Sequence, residues 1–234
     1  MAAMTFLQLV QRLREKSGSV GTGPTAVTAQ TGESLRLVNW VNEAWTEIQA
    51  RSPHWKWMRK DFSFQTAASK IFYLPTITAG EVGIADFGRW HDQDTFRMYR
   101  TSLGRADEQY LVPWDYQTFR DSYDFGIQST ILNRPSVWAE RDKDQAILLG
   151  PTPDAIYTVT GQYQASPSVL AADADLPGLP AEFHMLIVYK ALMLYAEYEA
   201  AAEVFSANQK AYDRMYSMLE DDQLEGISFG APLA

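Results

Sequence analysis

The hydrophobic period of this chain changes twice, and that alternation narrows the folds open to it more than any single motif. Apolar residues recur at helical spacing up to about residue 58, alternate with a period of 2 from Lys60 to about Ser168, and return to helical spacing after LPGLP at 176–180. From 181 to 225 no glycine or proline occurs, a run of 45 residues against a mean helix of about 12. It reads as two packed helices, 181–199 and 202–222, reversing inside EYEAAAE. The expectation is an α+β fold: a helical bundle built from N-terminal and C-terminal helices, with an inserted antiparallel β region.

At the N-terminus, Phe6, Leu9, Val10 and Leu13 form a helical stripe, with Thr5 and Gln8 spaced as a capping box and Gly18 as the stop. A Gly/Ser/Thr/Pro loop follows at 17–32. The second helix is expected from Glu33 to Arg51, ended by Ser52-Pro53. Leu37, Val38, Val41, Ala44, Trp45 and Ile48 share its inward arc, while Arg36, Asn39, Asn42, Glu43 and Glu47 fall opposite. Four of the seven tryptophans lie between 39 and 58, which raises the question of whether their rings bind a ligand or fill a core. Trp45 points inward, Trp40 edges the stripe, and Trp55 and Trp57 alternate in the run toward the first strand, so these rings read as core anchors that weld the second helix to the β region.

Within 60–168, DFSFQTAASKIFYLP reads as a hairpin, and TFRMYRTS, EQYLVP, SVWAER, DQAILLGP and AIYTVTGQYQA as strands, the last with Tyr157, Val159 and Tyr163 on one face. A short helix is expected at 114–124, after Pro113. The resulting division is 1–59 and 176–222 as a helical frame, 60–175 as the β region, and 223–234 as a flexible C-terminal extension.

Chemistry is harder to find than structure. No cysteine occurs, which removes disulfide frameworks, thiolate zinc sites and CxxC redox chemistry. GISFG at 226–230 matches a nucleophile-elbow pattern around Ser228, but only four residues follow Gly230, leaving no room for an acid and a histidine after it. GSVGTGP at 18–24 follows a helix and lacks the Lys-Ser/Thr ending of a phosphate loop. HDQD at 91–94 has no partner histidine at metal-ligand spacing, since His54 and His184 belong to other elements. No catalytic residue, metal or cofactor is therefore assigned. The apolar run FHMLIVYKALMLYA at 183–196 is too short to span a bilayer and carries His184 and Lys190, so it reads as a buried helix. The N-terminus has no signal-peptide pattern, and a cytoplasmic origin is expected.

The formal charge of −9 is unevenly spread: eight Lys/Arg against four Asp/Glu in 1–60, and three against eleven in 170–234. A basic head with Arg12, Arg14 and Lys16 and an acidic tail with Glu220, Asp221 and Asp222 can pair between neighbouring copies. The three acids also sit where a helix C-terminus disfavours negative charge.

The arrangement resembles the head-to-tail adaptor, or connector, proteins of tailed bacteriophages. The pieces that carry the likeness are LRLVNWVNEAWTEIQ followed by WKWMRKDFSF, then RPSVWAERDKDQAILLGPTPDAIYTVTGQYQASP with a hairpin turn at 150–154, then LPAEFHMLIVYKALMLYAEYEAAAE. The chain departs from that pattern in its loop at 79–95 and its tail. The resemblance implies a structural virion protein and not an enzyme. It would form a ring, a dodecamer, at the head–tail junction, after synthesis in the host bacterial cytoplasm. The ring would dock under a portal protein through the terminal extension, with Leu224, Ile227, Phe229 and Leu233 as anchors. A tail, nozzle or stopper protein would lie downstream, no membrane would be involved, and DNA would pass through non-specifically. An acidic lumen repels phosphate and lets a duplex slide. The aromatics Phe72, Tyr73, Phe96, Tyr99, Tyr110, Trp114, Tyr116 and Trp138 leave a carbohydrate-binding module as an alternative, and a paired-carboxylate hydrolase as a second.

Overall fold

The computed structural model describes residues 2–18, 23–91 and 95–224. The chain divides into two compact units, Met1–Met58 with Pro167–Ala234, and Arg59–Ser166. The secondary structure is mixed helix and mostly antiparallel sheet, an α+β fold.

The first unit carries helices α1 (Phe6–Ser17), α2 (Gly32–Ala50), α4 (His184–Tyr198) and α5 (Ala202–Gln223). Thr5 and Gln8 close the capping box of α1, and Gly18 ends it at φ 77°, a left-handed conformation that glycine adopts without a Cβ clash. The inward arc expected on α2 is buried as read: Leu37, Val38, Val41, Ala44, Trp45 and Ile48. Helix α4 buries Leu186, Ile187, Val188, Ala191, Leu192 and Ala196 because α1, α2 and α5 all pack on it. A helix apolar on most of its circumference is stable only where neighbours cover it. The chain reverses after Tyr198 through Ala200 at φ 53°, and α5 adds Tyr212, Tyr216 and Leu219 to the same core.

Two side chains of α2 do more than the helical pattern indicates. Asn42, read as an outward residue, pairs with the backbone of Leu170 in both directions, its Nδ2 donating to the carbonyl and its Oδ1 accepting from the N–H, each at 2.9 Å. Buried Gln49 does the same at Ser168, at 2.8 and 2.9 Å. The segment leading toward α4 has no strand partner here, so its backbone groups need side-chain ones. A period-based reading has no access to that requirement.

The second unit contains eleven strands and one short α-helix among the described residues. The long strand β11 (Tyr157–Ala165) pairs along one edge with β1 (Arg59–Gln65), and along the other with β3 (Phe87–His91) and β4 (Arg97–Arg100) in tandem; β4 also pairs with β5 (Gln109–Tyr110). A second sheet runs β2 (Phe72–Tyr73), β9 (Ala146–Gly150), β8 (Val137–Arg141), β6 (Val112–Pro113). Two pairs depart from the antiparallel expectation: β6 with β8, and β7 (Leu132–Asn133) with β10 (Thr152–Pro153), are parallel.

Two expected hairpins are absent. DFSFQTAASKIFYLP places β1 on β11 and β2 on β9, in different sheets. Likewise 150–154 carries the chain from β9 in one sheet to β11 in the other. Alternation specifies which face of a strand is buried, but not which strand lies beside it. The helix expected at 114–124 is a single α turn, α3 (Tyr116–Phe119), continued by a π turn at Arg120–Asp124. Asp115 caps it by accepting from the N–H groups of Gln117 and Thr118.

The core of this unit is aromatic. Phe96 stacks on Trp138 at 3.8 Å between centroids, and Phe62 meets both Phe96 and Trp90 at 5.2 and 5.0 Å. Gly161 makes room for this cluster: a Cβ there would lie 2.9 Å from the Phe62 ring.

Candidate interaction surfaces

The tryptophans singled out in the sequence are structural. Trp45 and Trp55 are buried in the core of the helical unit, and Trp57 packs against it. Trp57 lies in a 3-10 turn at Lys56–Met58, so the alternation around it belongs to no strand. The Trp55 and Trp57 rings stack at 4.4 Å, and Trp55 meets Tyr216 of α5 edge-on at 6.1 Å. The Trp55 indole N–H donates to the carbonyls of Ile48 and Gln49, each at 3.2 Å. It thereby closes the C-terminus of α2, which ends at Arg51 in a right-handed conformation without a glycine cap. The anchors act inside the helical unit.

The basic residues of α1 border an open groove of about 1130 Å³ whose other wall is Met185, Tyr189 and Met215. Arg12 pairs with Glu15 one turn on, Arg14 lies 3.6 Å from Glu33, and the Lys16 ammonium sits 5.2 Å from the centroid of the Tyr189 ring. The head is thus basic but already engaged within its own chain. At the other end, Asp221 and Asp222 are exposed and Glu220 is half-buried. The cation that meets this helix terminus is Lys56, whose Nζ donates to the Asp222 carbonyl at 3.0 Å. It supplies from the same chain the favourable charge a helix C-terminus calls for.

Of the four proposed docking residues only Leu224 is described. It is partly buried against the helical core, and its N–H continues α5 by donating to Glu220. Ile227, Phe229, Leu233 and Ser228 lie outside the described residues, as do 92–94 of HDQD and 19–22 of the glycine-rich loop. His184 is a core residue: its Nδ1 accepts from the Met4 N–H at 2.9 Å and its Nε2–H donates to the Leu179 carbonyl at 3.2 Å, while burial lowers its pKa. His54 is exposed.

One surface had no counterpart in the sequence reading. Between α3 and β8 the chain exposes Phe125, Ile127, Ile131 and Leu132, with Ile127 at 77%. Apolar side chains gathered on a short exposed stretch are a common mark of protein contact. The signal was a cluster of large apolar residues in a segment with neither helical nor strand period.

Among the described residues no group of three metal-binding side chains occurs, and no helix is long and apolar enough to cross a membrane. The surfaces among the described residues, a basic-edged groove and an exposed apolar stretch, suit contact with other proteins. The family model described as SU10 adaptor protein matches residues 4–233, and the chain belongs to that family: it is a bacteriophage structural adaptor. No curated protein matches it.

Proposed function

We propose that the protein forms a ring, a dodecamer, at the head–tail junction, docking beneath the portal and extending the DNA channel toward the tail. The observation that carries this reading is the family match from residue 4 to residue 233. The helices of the first unit form a bundle that serves as the frame. The exposed apolar stretch at 125–132 faces a neighbouring copy or the downstream tail, nozzle or stopper protein. The C-terminal segment reaches the portal through Ile227, Phe229 and Leu233. Leu224, packed on the core, anchors the base of that segment. The acidic balance of 170–234 keeps the channel repulsive to DNA phosphate.

The test is deletion of 225–234, which spares Leu224. The truncated protein is expected to keep its melting temperature and lose portal binding in a pull-down, with rings seen on portals by electron microscopy only for the full chain. Equal binding by both proteins refutes the docking assignment.

A further inference from the structure

We infer that a cavity inside the β unit receives the guanidinium or ammonium group of an Arg or Lys side chain presented by another protein chain. The cavity holds about 320 Å³ and forms where β6 passes into α3 above the end of β8. Trp114, Asp115 and Tyr116 come from the β6–α3 junction, and Trp90 contributes from β3. Trp138 and Glu140, two apart on β8, share a face, and Asp142 follows just beyond the strand. The lining therefore combines four aromatic rings with three carboxyl groups and includes no Lys, Arg or His among the described residues. Aromatic rings beside carboxylates suit an organic cation, which the ring quadrupole and the negative charge both attract; of the four rings, Trp138 has one face stacked on Phe96 and Tyr116 already meets Arg120.

The neighbouring charges leave that demand unmet. Arg141 is held by Asp144 through two bonds of 2.7 and 2.8 Å. Arg120 lies over the Tyr116 and Phe125 rings, at 5.7 and 5.0 Å, and does not line the cavity. Asp115 is spent on capping α3, which leaves Glu140 and Asp142 to face a ligand. Burial holds the Glu140 carboxyl above its usual range, opposed by a hydrogen bond from Gln145 and reinforced by the charge of Asp142. A cation seated between them relieves that repulsion.

The second, independent observation is Trp138. It is only 3% exposed, and its indole N–H has no hydrogen-bond partner. Buried donors are rarely left so. That N–H is itself shut off from solvent, so reaching it takes a shift of the lining, which a main-chain carbonyl carried beside a peptide-borne cation can offset and a free amine cannot.

The test uses the full chain with ¹⁵N-labelled indoles, the Trp90 and Trp138 signals being assigned from single Trp→Phe variants. Titration with N-acetylarginine amide or N-acetyllysine amide is expected to shift the Trp138 signal saturably, with half-saturation on the order of millimolar. Glu140→Gln with Asp142→Asn is expected to weaken binding at least tenfold, as is Trp114→Ala. Raising salt to about 1 M weakens the wild-type interaction in the same direction, which keeps the test independent of how the variants fold. Putrescine, a free diamine, is expected to bind less tightly than the amides; tighter binding by it overturns the assignment to a protein side chain. No saturable shift, or a shift indifferent to both salt and the carboxylate changes, overturns the site. Saturation of the same signals by N-acetylglucosamine at lower concentration overturns it in favour of a sugar.

Discussion

Replacing Trp55 by phenylalanine, with the same change at Trp45 as its control, isolates one hydrogen bond in the helical core. Both tryptophans are essentially fully buried, at 0% and 1% exposure, so the two changes remove similar ring volume from similar surroundings. They differ in the indole N–H. That of Trp55 serves the carbonyls of Ile48 and Gln49 in the last turn of α2, whereas that of Trp45 is buried without a partner. Stranding a buried acceptor costs about 1–3 kcal/mol, while deleting an orphan donor costs nothing of that kind. Trp55→Phe is therefore expected to destabilise the protein by about 1–3 kcal/mol more than Trp45→Phe. Urea melts followed by far-UV circular dichroism measure this as a difference in midpoint at constant m. Losses that agree within about 0.5 kcal/mol refute the role of Trp55 as the cap of α2.

Three further perturbations probe other parts of the fold. His184 is kept neutral, with its pKa lowered by burial, so its contribution is full above the unfolded value of about 6.5 and is lost as pH falls through that value toward the folded one; thermal melts between about pH 7 and pH 5 should show a decline in the wild type that His184→Gln abolishes, and parallel profiles would remove His184 as the cause. Asn42→Ala breaks both bonds to the Leu170 backbone and is expected to cost about 1–3 kcal/mol, against less than about 0.5 for Asn39→Ala on the exposed side of α2, read by chemical denaturation. Gly161→Ala pushes a methyl to 2.9 Å from the Phe62 ring, an overpacking worth about 1–3 kcal/mol, and near-ultraviolet circular dichroism should register the disturbed aromatic cluster.

The helices were legible because their evidence is local. Thr5 and Gln8, the arc from Leu37 to Ile48, and the glycine-free run after Pro180 each state their structure within a few turns, and the helices formed at those positions. Strands were legible as strands but not as a sheet. Phe62 and Phe64 announced a buried face, yet the partner of β1 lies roughly a hundred residues on, where no local signal can name it. Trp45 follows the helical period of α2 into the core, whereas Trp55 is buried and Trp57 packs against the same core from a turn whose alternation marks no strand. The surfaces were less readable. Trp114, Tyr116 and Trp138 stood out as aromatics, but only the fold brings them together with Glu140 and Asp142. The exposed residues from Phe125 to Leu132 were invisible to periodicity, which reports burial and says nothing of apolar side chains left outside.

The pairing of β1 with β11 also sets a clock on the molecule's birth. Register partners such as Phe62 and Gly161 leave the ribosome about 5–20 s apart at ordinary rates of about 5–20 residues per second. Throughout that interval Phe62 and Phe64 lie on a strand whose partner does not yet exist, an unpaired apolar edge of the kind that recruits other chains. Loop closure over so long a separation is slow compared with helix formation. The nascent chain therefore passes through a period in which α1 and α2 have been made while the sheet is still waiting for its last strand, and in a cell making many copies at once the yield of folded protein depends on how well β1 is shielded during that wait.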